Sequence, residues 1–224
     1  MTMKKSSDKI KVAVITGHHP YDVVGFQTLF RNLPGIDAYP QNIEDFVTDT
    51  GESRGTYEVL VFYNYHLPTP GSEQYPMGGS VMEALTTLGD SKQGIFLLHH
   101  AILAYPEWPQ WQEISGGIHL AEDGPVHQDQ VVQIRNVSPR HPITQNLQDF
   151  DVIDETYGAS NAENNSEILL TTDHSESMKT MAWTRQYKNA RVFCYQSGHD
   201  RAVFNNEGFQ TVLLRGIQWC AGRI

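Results

Sequence analysis

The feature that most constrains the fold is a short, wholly apolar segment at residues 95–98 that ends at two adjacent histidines. The run Ile-Phe-Leu-Leu shows no alternation of apolar and polar residues, which is typical of a strand covered on both faces, as in a parallel sheet. His99 and His100 follow directly, where the strand is expected to give way to a helix. Open α/β sheets bind ligands at the carboxyl ends of their strands, so this junction is the first candidate site.

The first hundred residues alternate such strands with helices. Helices are predicted over residues 21–33 and 79–88, where apolar residues recur at spacings of three and four. Short runs bounded by turn residues predict three further strands, at residues 11–17, 36–39 and 57–65. Residues 43–49 show no clear preference. Short connections between strand and helix are typical of parallel βαβ units.

The second half of the chain favours antiparallel structure. Apolar and polar residues alternate over residues 126–137, which predicts a half-exposed strand. Later patterns predict strands at residues 150–157 and 167–172, a hairpin of residues 179–183 and 190–196 around a polar turn at 185–189, and a terminal helix over 207–220. The predicted fold class is α/β, with a three-layer, doubly wound and mostly parallel sheet that has antiparallel strands in its C-terminal half.

Length and composition limit the domain organisation and the partners. The 224 residues contain no linker-like stretch, so we expect one domain over residues 11–224 after a flexible segment at residues 1–10. The formal net charge of -10 argues against a nucleic acid or an acidic membrane, because phosphate groups demand clustered Lys and Arg. A small polar molecule is the expected ligand.

The N-terminal sequence, the lengths of the apolar runs and the cysteine spacing indicate the cellular location and the state of the thiols. Residues 1–10 have no apolar core of a signal peptide, and no apolar run approaches the roughly 20 residues that span a bilayer, so a cytoplasmic protein is expected. The two cysteines, Cys194 and Cys220, have no CxxC spacing, which argues against a disulfide framework or a thiolate zinc site.

Histidines are concentrated where predicted strands end. If those strands are parallel neighbours, their imidazoles meet along one rim of the sheet, and acidic residues near other strand ends can join them. Such a rim suits acid–base chemistry or a divalent metal bound through nitrogen and oxygen. The alternative is that each histidine bonds only its own loop. The residues concerned are His18, His19, His66, His99, His100 and His199, with Asp154, Glu155 and Asp200.

Several familiar motifs are missing from the sequence. There is no GxSxG elbow, P-loop or GxGxxG, so serine-hydrolase, NTPase and dinucleotide-binding functions have no support. There is also no HExxH or other compact ligand motif that would fix the identity of a metal.

Segments along nearly the whole chain resemble the ThuA-like family of trehalose-utilisation proteins, which share the architecture of class I glutamine amidotransferases. The most specific match has a Trp-Thr-Arg turn, a strand and Gly-His-Asp in the family's order, within MAWTRQYKNARVFCYQSGHD. The other matching segments are VAVITGHH, YEVLVFYNYH, LLHHA, SPRHPIT, IDETY and the helix ending RGIQWCAG.

The resemblance places His99 and His100 at the strand-to-helix elbow where an amidotransferase holds its nucleophilic cysteine. It places His199 near that family's catalytic histidine. No cysteine occupies the elbow, and imidazoles do not replace a thiolate in thioester chemistry, so glutamine hydrolysis is not expected. The resemblance implies a carbohydrate ligand instead, with trehalose or its 3-keto derivatives as leading candidates.

The first hypothesis is an enzyme of sugar or keto-sugar utilisation: a lyase, hydrolase or isomerase with acid–base or metal-assisted chemistry. Glu155 would be the base, while a metal or a protonated imidazole would stabilise an enolate. The catalytic candidates are His99, His100, Glu155 and His199. The candidate ligands of a divalent metal such as zinc or manganese are His66, His100 and His199. The candidate substrate-binding residues are His18, His66, Asp154, Tyr157, Arg185 and Asp200.

Other functions stay open at this point. The chain can be a non-catalytic sugar-binding or regulatory protein that keeps the crevice, or its histidines can lie in scattered loops with no shared site. Self-association into a homo-oligomer is also left open by the sequence.

Overall fold

A mixed sheet forms the centre of the computed structural model, which describes residues 9–48, 51–72, 78–121, 124, 126–163 and 165–224. Residues 1–8 of the predicted N-terminal segment lie outside the described residues, and Ile10 already belongs to the first strand. Within the described residues the strands are β1 (Ile10–Gly17), β2 (Ile36–Asn42), β3 (Val59–Asn64), β4 (Gly94–Leu98), β5 (Val126–Asn136), β6 (Phe150–Tyr157), β7 (Glu167–Thr171), β8 (Thr180–Tyr187) and β9 (Ala190–Tyr195).

The helices cover both faces of the sheet. They are α1 (Val23–Asn32), α2 (Ile43–Thr48), α3 (Gly78–Thr86), α4 (Pro109–Ser115), α5 (Arg201–Phe204) and α6 (Glu207–Cys220), with 3₁₀ turns at Arg54–Thr56 and His99–Leu103. The helices predicted over residues 21–33, 79–88 and 207–220 are confirmed as α1, α3 and α6. Residues 43–48, which the sequence left ambiguous, form α2. No helix in the described part of the chain is long and apolar enough to cross a membrane.

The sheet is parallel on one side and antiparallel on the other. Its order is β2-β1-β3-β4-β9-β8-β7-β5-β6, and the pairings from β2 to β9 are parallel while those from β9 to β6 are antiparallel. The α/β class is therefore confirmed, but the prediction of a mostly parallel sheet is wrong. The later strands are linked without crossover helices, and such direct connections produce antiparallel pairs.

The last hairpin, formed by β8 and β9, is an example of a direct antiparallel connection. The turn predicted over residues 185–189 is shorter, because Arg185, Gln186 and Tyr187 continue β8 and pair with β9. Lys188 and Asn189 are left to make the turn, with Lys188 at a φ of 49°, which suits a two-residue hairpin. The side chains of Arg185 and Tyr187 are buried despite their polar groups, and this is why the polar sequence misled the prediction.

Two hydrophobic cores lie on opposite faces of the sheet. Val12 and Val14 face a core shared with α1, α5 and α6, whereas Ala13 and Ile15 face a second core shared with α2, α3 and α4. Alternate residues of one strand thus enter different cores, as a strand covered on both faces requires. The arrangement has the three layers that the sequence predicted.

β6, at the end of the sheet order, contacts the segment after β9 near the middle of the sheet. β5 pairs with β7 only through Arg135 and Asn136, while most of β5 pairs with β6. The carboxyl end of β6 then meets the end of β9, where Gln196 Nε2 donates to the carbonyl oxygen of Glu155 at 2.9 Å. This contact brings the acidic residues of β6 to the rim where β4 and β9 end.

Candidate active site

The site begins at a strained elbow after β4. His99 follows Leu98 with a φ of 55°, a left-handed conformation that is uncommon for a residue other than glycine and often marks a functional position. The turn starts a 3₁₀ helix, so both imidazoles stay at the carboxyl end of β4 and are buried. His99 Nδ1 lies 2.8 Å from the carbonyl oxygen of Gln196, which can only accept. Nδ1 therefore carries the proton, and Nε2 keeps its lone pair.

Three imidazoles surround one carboxylate oxygen. Glu155 Oε2 lies 3.5 Å from Nε2 of His99, 3.5 Å from Nε2 of His100 and 3.6 Å from Nδ1 of His199. Each of the four residues offers one ligand atom, and these atoms all lie within 4.8 Å of one another. We call these four residues the histidine–glutamate cluster.

The geometry of the cluster fits one metal ion. Ligand atoms bonded to one tetrahedral zinc at about 2.0–2.1 Å stand about 3.4 Å apart. Glu155 Oε2 lies 3.5–3.6 Å from the three nitrogens, and His99 Nε2 lies 3.4 Å from His199 Nδ1. Three nitrogens and one carboxylate oxygen are ligands that zinc and manganese accept. Glu155 Oε2 and His100 Nε2 are also buried without a hydrogen-bond partner among the described residues, which is costly unless something else binds them.

Burial sets the charges of these groups. It lowers the pKa of His99 and His100, and the neighbouring imidazoles lower that of His100 further. Both rings are therefore neutral at pH 7, the form in which histidine binds a metal. Burial also raises the pKa of Glu155, an effect that His199 opposes.

Tyr157 and Asp154 support the cluster from β6. The Tyr157 hydroxyl lies 2.6 Å from His99 Nδ1, 2.9 Å from His99 Nε2 and 3.1 Å from His100 Nδ1, so it contacts both rings. Asp154 accepts hydrogen bonds from the backbone N–H groups of Gly198 and His199 at 2.9 and 3.0 Å. Burial raises the pKa of Asp154 to about 6. Its oxygens hold the loop that carries His199, whereas the sequence predicted contact with substrate.

His66 and His18 form a separate pair next to the cluster. Their ring centroids are 4.3 Å apart, and His66 Nε2 lies 3.8 Å from Glu44 Oε1 of α2. His66 is buried, and burial lowers its pKa to about 4, whereas His18 is exposed. The structure thus places His66, a predicted metal ligand, outside the histidine–glutamate cluster, and His99 and Glu155 supply ligand atoms beside the predicted His100 and His199.

Two predicted substrate-binding residues make other contacts. Arg185 lies in β8, three residues along the strand from Ala182, which pairs with Tyr195 at the carboxyl end of β9. Its Nη1 donates to Ser166 Oγ at 3.1 Å, so Arg185 is not part of the histidine–glutamate cluster. Asp200 caps α5 by accepting from the N–H of Ala202 at 2.8 Å, directly after His199.

The structure adds two residues that are not among the predicted catalytic, substrate-binding or metal-binding residues. The His19 ring centroid lies 3.9 Å from that of His100 and 6.2 Å from that of His199, and the Tyr65 ring lies 5.2 Å from His100. Both side chains are half-buried, on the solvent side of the cluster. The position of His19 after a strand was a usable signal, but nothing in the sequence separated it from His18. Tyr65 had no comparable signal.

Fold and site together define the class of this protein: an α/β protein with a mixed sheet and two adjacent histidines at the elbow after β4. Neither cysteine is placed to act as an amidotransferase nucleophile. Cys194 and Cys220 are buried in the cores, and burial raises the pKa of each thiol. The chain belongs to the ThuA family, described as trehalose utilisation, whose family model matches residues 41–220. Comparison with curated proteins found no match.

Solved structures share this fold at low sequence identity. A ThuA-like protein from Bacteroides uniformis has a TM-score of 0.73 at 18% identity, covering 98% of this chain and 94% of that chain. A ThuA-like protein from Parabacteroides merdae has a TM-score of 0.72 at 20% identity, covering 95% and 90%. A glutamine amidotransferase from Thermotoga maritima has a TM-score of 0.57 at 8% identity, covering 95% and 98%. These similarities show the fold alone.

Proposed function

We propose that the chain is a cytoplasmic enzyme of carbohydrate utilisation that acts on trehalose, a related disaccharide or a 3-keto derivative. Family membership supports the substrate class. The observation that carries a catalytic function is the buried Glu155 Oε2, which has no hydrogen-bond partner in the described part of the chain and stands 3.5–3.6 Å from three imidazole nitrogens. Such an arrangement is expensive for folding alone and is explained by a bound cation.

A divalent ion such as zinc or manganese fits this cluster. His99, His100, His199 and Glu155 would hold it, with the tautomer of His99 set by the carbonyl oxygen of Gln196. When bound, such an ion polarises a sugar carbonyl or hydroxyl and favours loss of a proton beside it.

His19 is the side chain proposed to move the proton. It is half-buried next to His100 but is not one of the four clustered residues, so its ring can contact a sugar placed over the cluster. For a 3-keto-sugar the demanding step is removal of a proton from the carbon next to the carbonyl, which a positioned imidazole accepts. His19 takes the role that the sequence analysis gave to Glu155, because the free oxygen of Glu155 faces the three ligand nitrogens.

Metal content tests the cluster directly. Elemental analysis after purification with zinc or manganese should find about one ion per chain in the native protein, and substantially less in His100→Ala and Glu155→Gln. His174→Ala is the matched control, because His174 is half-buried outside the cluster and its Nδ1 accepts from the N–H of Glu176. Equal metal content in all four proteins would contradict a metal at this cluster.

Turnover tests the reaction. A panel of 3-keto-disaccharides should be consumed by the metal-loaded native protein and by His174→Ala, but not by His100→Ala. His19→Gln should lose turnover while keeping its metal, since His19 is proposed to move a proton and not to bind the ion. Saturable binding with no turnover in the native protein would instead indicate a non-catalytic sugar-binding protein.

A further inference from the structure

A cavity of about 490 Å³ opens beside the histidine–glutamate cluster. Its volume falls in the range of roughly 300–1,000 Å³ that is typical of small-molecule sites. The walls come from the end of β3, the 3₁₀ helix after β4 and the segment around α4. Three distant parts of the chain thus form one concave surface.

Tyr65 belongs both to the cavity and to the surroundings of the cluster. It lines the cavity, and its ring centroid lies 5.2 Å from that of His100 and 6.3 Å from that of His19. Leu103, another lining residue, ends the 3₁₀ helix that begins with His99. The cavity and the cluster therefore share the 3₁₀ helix after β4, and the Tyr65 ring lies next to both.

The lining combines apolar surface with polar groups. Leu67 is 52% exposed at the mouth, next to the half-buried ring of Tyr65. Gln112 Nε2 is buried and has no hydrogen-bond partner among the described residues, so an amide donor is free for a ligand. Apolar and aromatic walls with a few such polar groups are typical of sites that bind small polar molecules.

The charge of the cavity restricts the ligand further. Glu107 contributes a carboxylate, and among the described residues no lysine or arginine lines the cavity. The adjoining cluster offers imidazoles and another carboxylate. A phosphate group on the ring in the cavity would meet the like charge of Glu107 with no lysine or arginine in the described lining to pair with it, and this disfavours phosphorylated sugars.

We propose that this cavity binds the second, non-reacting ring of an unphosphorylated disaccharide whose reacting ring lies over the histidine–glutamate cluster. The assignment rests on the proposed function for the position of the reacting ring. The carboxylate of Glu107 and the amide of Gln112 hydrogen-bond sugar hydroxyls, while Tyr65 covers an apolar face of the ring.

Calorimetric binding of trehalose tests the cavity without requiring turnover. Gln112→Leu keeps the size of the side chain but removes the donor, and should weaken trehalose binding roughly three- to tenfold. Leu67→Trp fills the mouth from an exposed position and should weaken it about tenfold or more. The controls are Val137→Trp, at a position that is 51% exposed and outside the lining, and Gln186→Leu on the exposed side of β8. Both should bind trehalose as the native protein does.

Two further measurements separate the parts of the proposal. Native protein should bind trehalose 6-phosphate at least roughly tenfold more weakly than trehalose. For turnover, Leu67→Trp should raise KM for 3-ketotrehalose but leave kcat/KM for 3-ketoglucose within about twofold, because a single ring does not reach the cavity.

The outcomes are distinct. Native affinity for trehalose in both cavity variants, or tight binding of the phosphorylated sugar, overturns the assignment of the cavity. Absence of trehalose binding in the native protein overturns it as well. Trehalose binding that responds to the cavity variants, with no keto-sugar turned over, supports the cavity and contradicts the proposed enzymatic function.

Discussion

At the residue scale, the buried carboxylate of Asp154 explains how His199 is held at the cluster. Its oxygens accept from the backbone N–H groups of Glu155, Gly198 and His199, so one side chain ties β6 to the loop after β9. Hydrogen bonds from N–H groups to a buried carboxylate are among the stronger ones in proteins. The position of His199 therefore depends on a residue that need not touch substrate.

Replacing Asp154 with Asn should loosen this loop. The amide keeps the size of the side chain but puts an N–H₂ group against backbone donors, so urea unfolding should show a loss of about 1–3 kcal/mol in the free energy of unfolding. Metal affinity should fall in parallel. Asp151→Asn is the control, because Asp151 is exposed on the same strand. Equal stability of the two variants would contradict the anchoring role.

The buried imidazole of His66 should make the stability of the protein depend on pH. Its pKa in the folded protein is about 4, below the ordinary value of 6.5, chiefly because of burial. Between these values the unfolded chain binds more protons than the folded one, so this contribution to stability is complete above about pH 6.5 and is lost as the pH falls towards 4. Urea unfolding at pH 7 and pH 5 should show a larger loss for the native protein than for His66→Gln. Parallel pH profiles would rule out this contribution.

At the scale of elements, α6 lies so close to the sheet that only glycine fits between them. A β-carbon on Gly94, the first residue of β4, would stand 2.6 Å from the backbone oxygen of Cys220. A β-carbon on Gly216 of α6 would stand 2.4 Å from the ring of Phe193. These close approaches set the position of α6 beneath β4, the strand that ends at the elbow.

Gly94→Ala should therefore destabilise the protein by about 1–3 kcal/mol, because helix backbone has to move. Gly79→Ala in α3 serves as the contrast, since apart from its chain neighbours and the nearby backbone of its own helix no heavy atom lies within 4 Å of its added β-carbon. That variant should gain stability, by up to about 1 kcal/mol, through higher helix propensity. Thermal unfolding of both proteins measures the difference, and a neutral Gly94→Ala would contradict the close packing.

At the scale of the whole molecule, the cluster joins the ends of two neighbouring strands, β4 and β9, to the distant strand β6. His99 and His100 follow β4, His199 follows β9, and Glu155 lies on β6, at the far end of the sheet order. An ion held by all four residues binds the folded protein and not the open chain, so binding adds directly to global stability.

Metal should accordingly raise the melting temperature. At an ion concentration about 100 times the dissociation constant, linkage adds about 2.7 kcal/mol, or roughly 5–10 °C for a protein of this size. Differential scanning calorimetry should show the rise with zinc or manganese and its reversal by a chelator. Glu155→Gln should lose most of the response, whereas His174→Ala should keep it. An equal rise in Glu155→Gln would place the ion elsewhere.

The sequence determined the local elements and the chemistry available at their ends. The apolar run before His99 and the helical spacing before Cys220 are local patterns, and both elements formed as predicted. The candidates His99, His100, Glu155 and His199 came from residue type and position at or near the end of a strand, and the structure places these four together.

Only the tertiary structure decided which of the strand-end residues meet. His66 lies with His18 and Glu44, while Glu155 lies at the elbow because the end of β6 contacts Gln196, directly after β9. Apolar periodicity reports which face of an element is buried, but the sheet order, the path of a hairpin and the direction of a side chain depend on packing between distant residues. For that reason the kinds of groups in the site were predictable, and their partners were not.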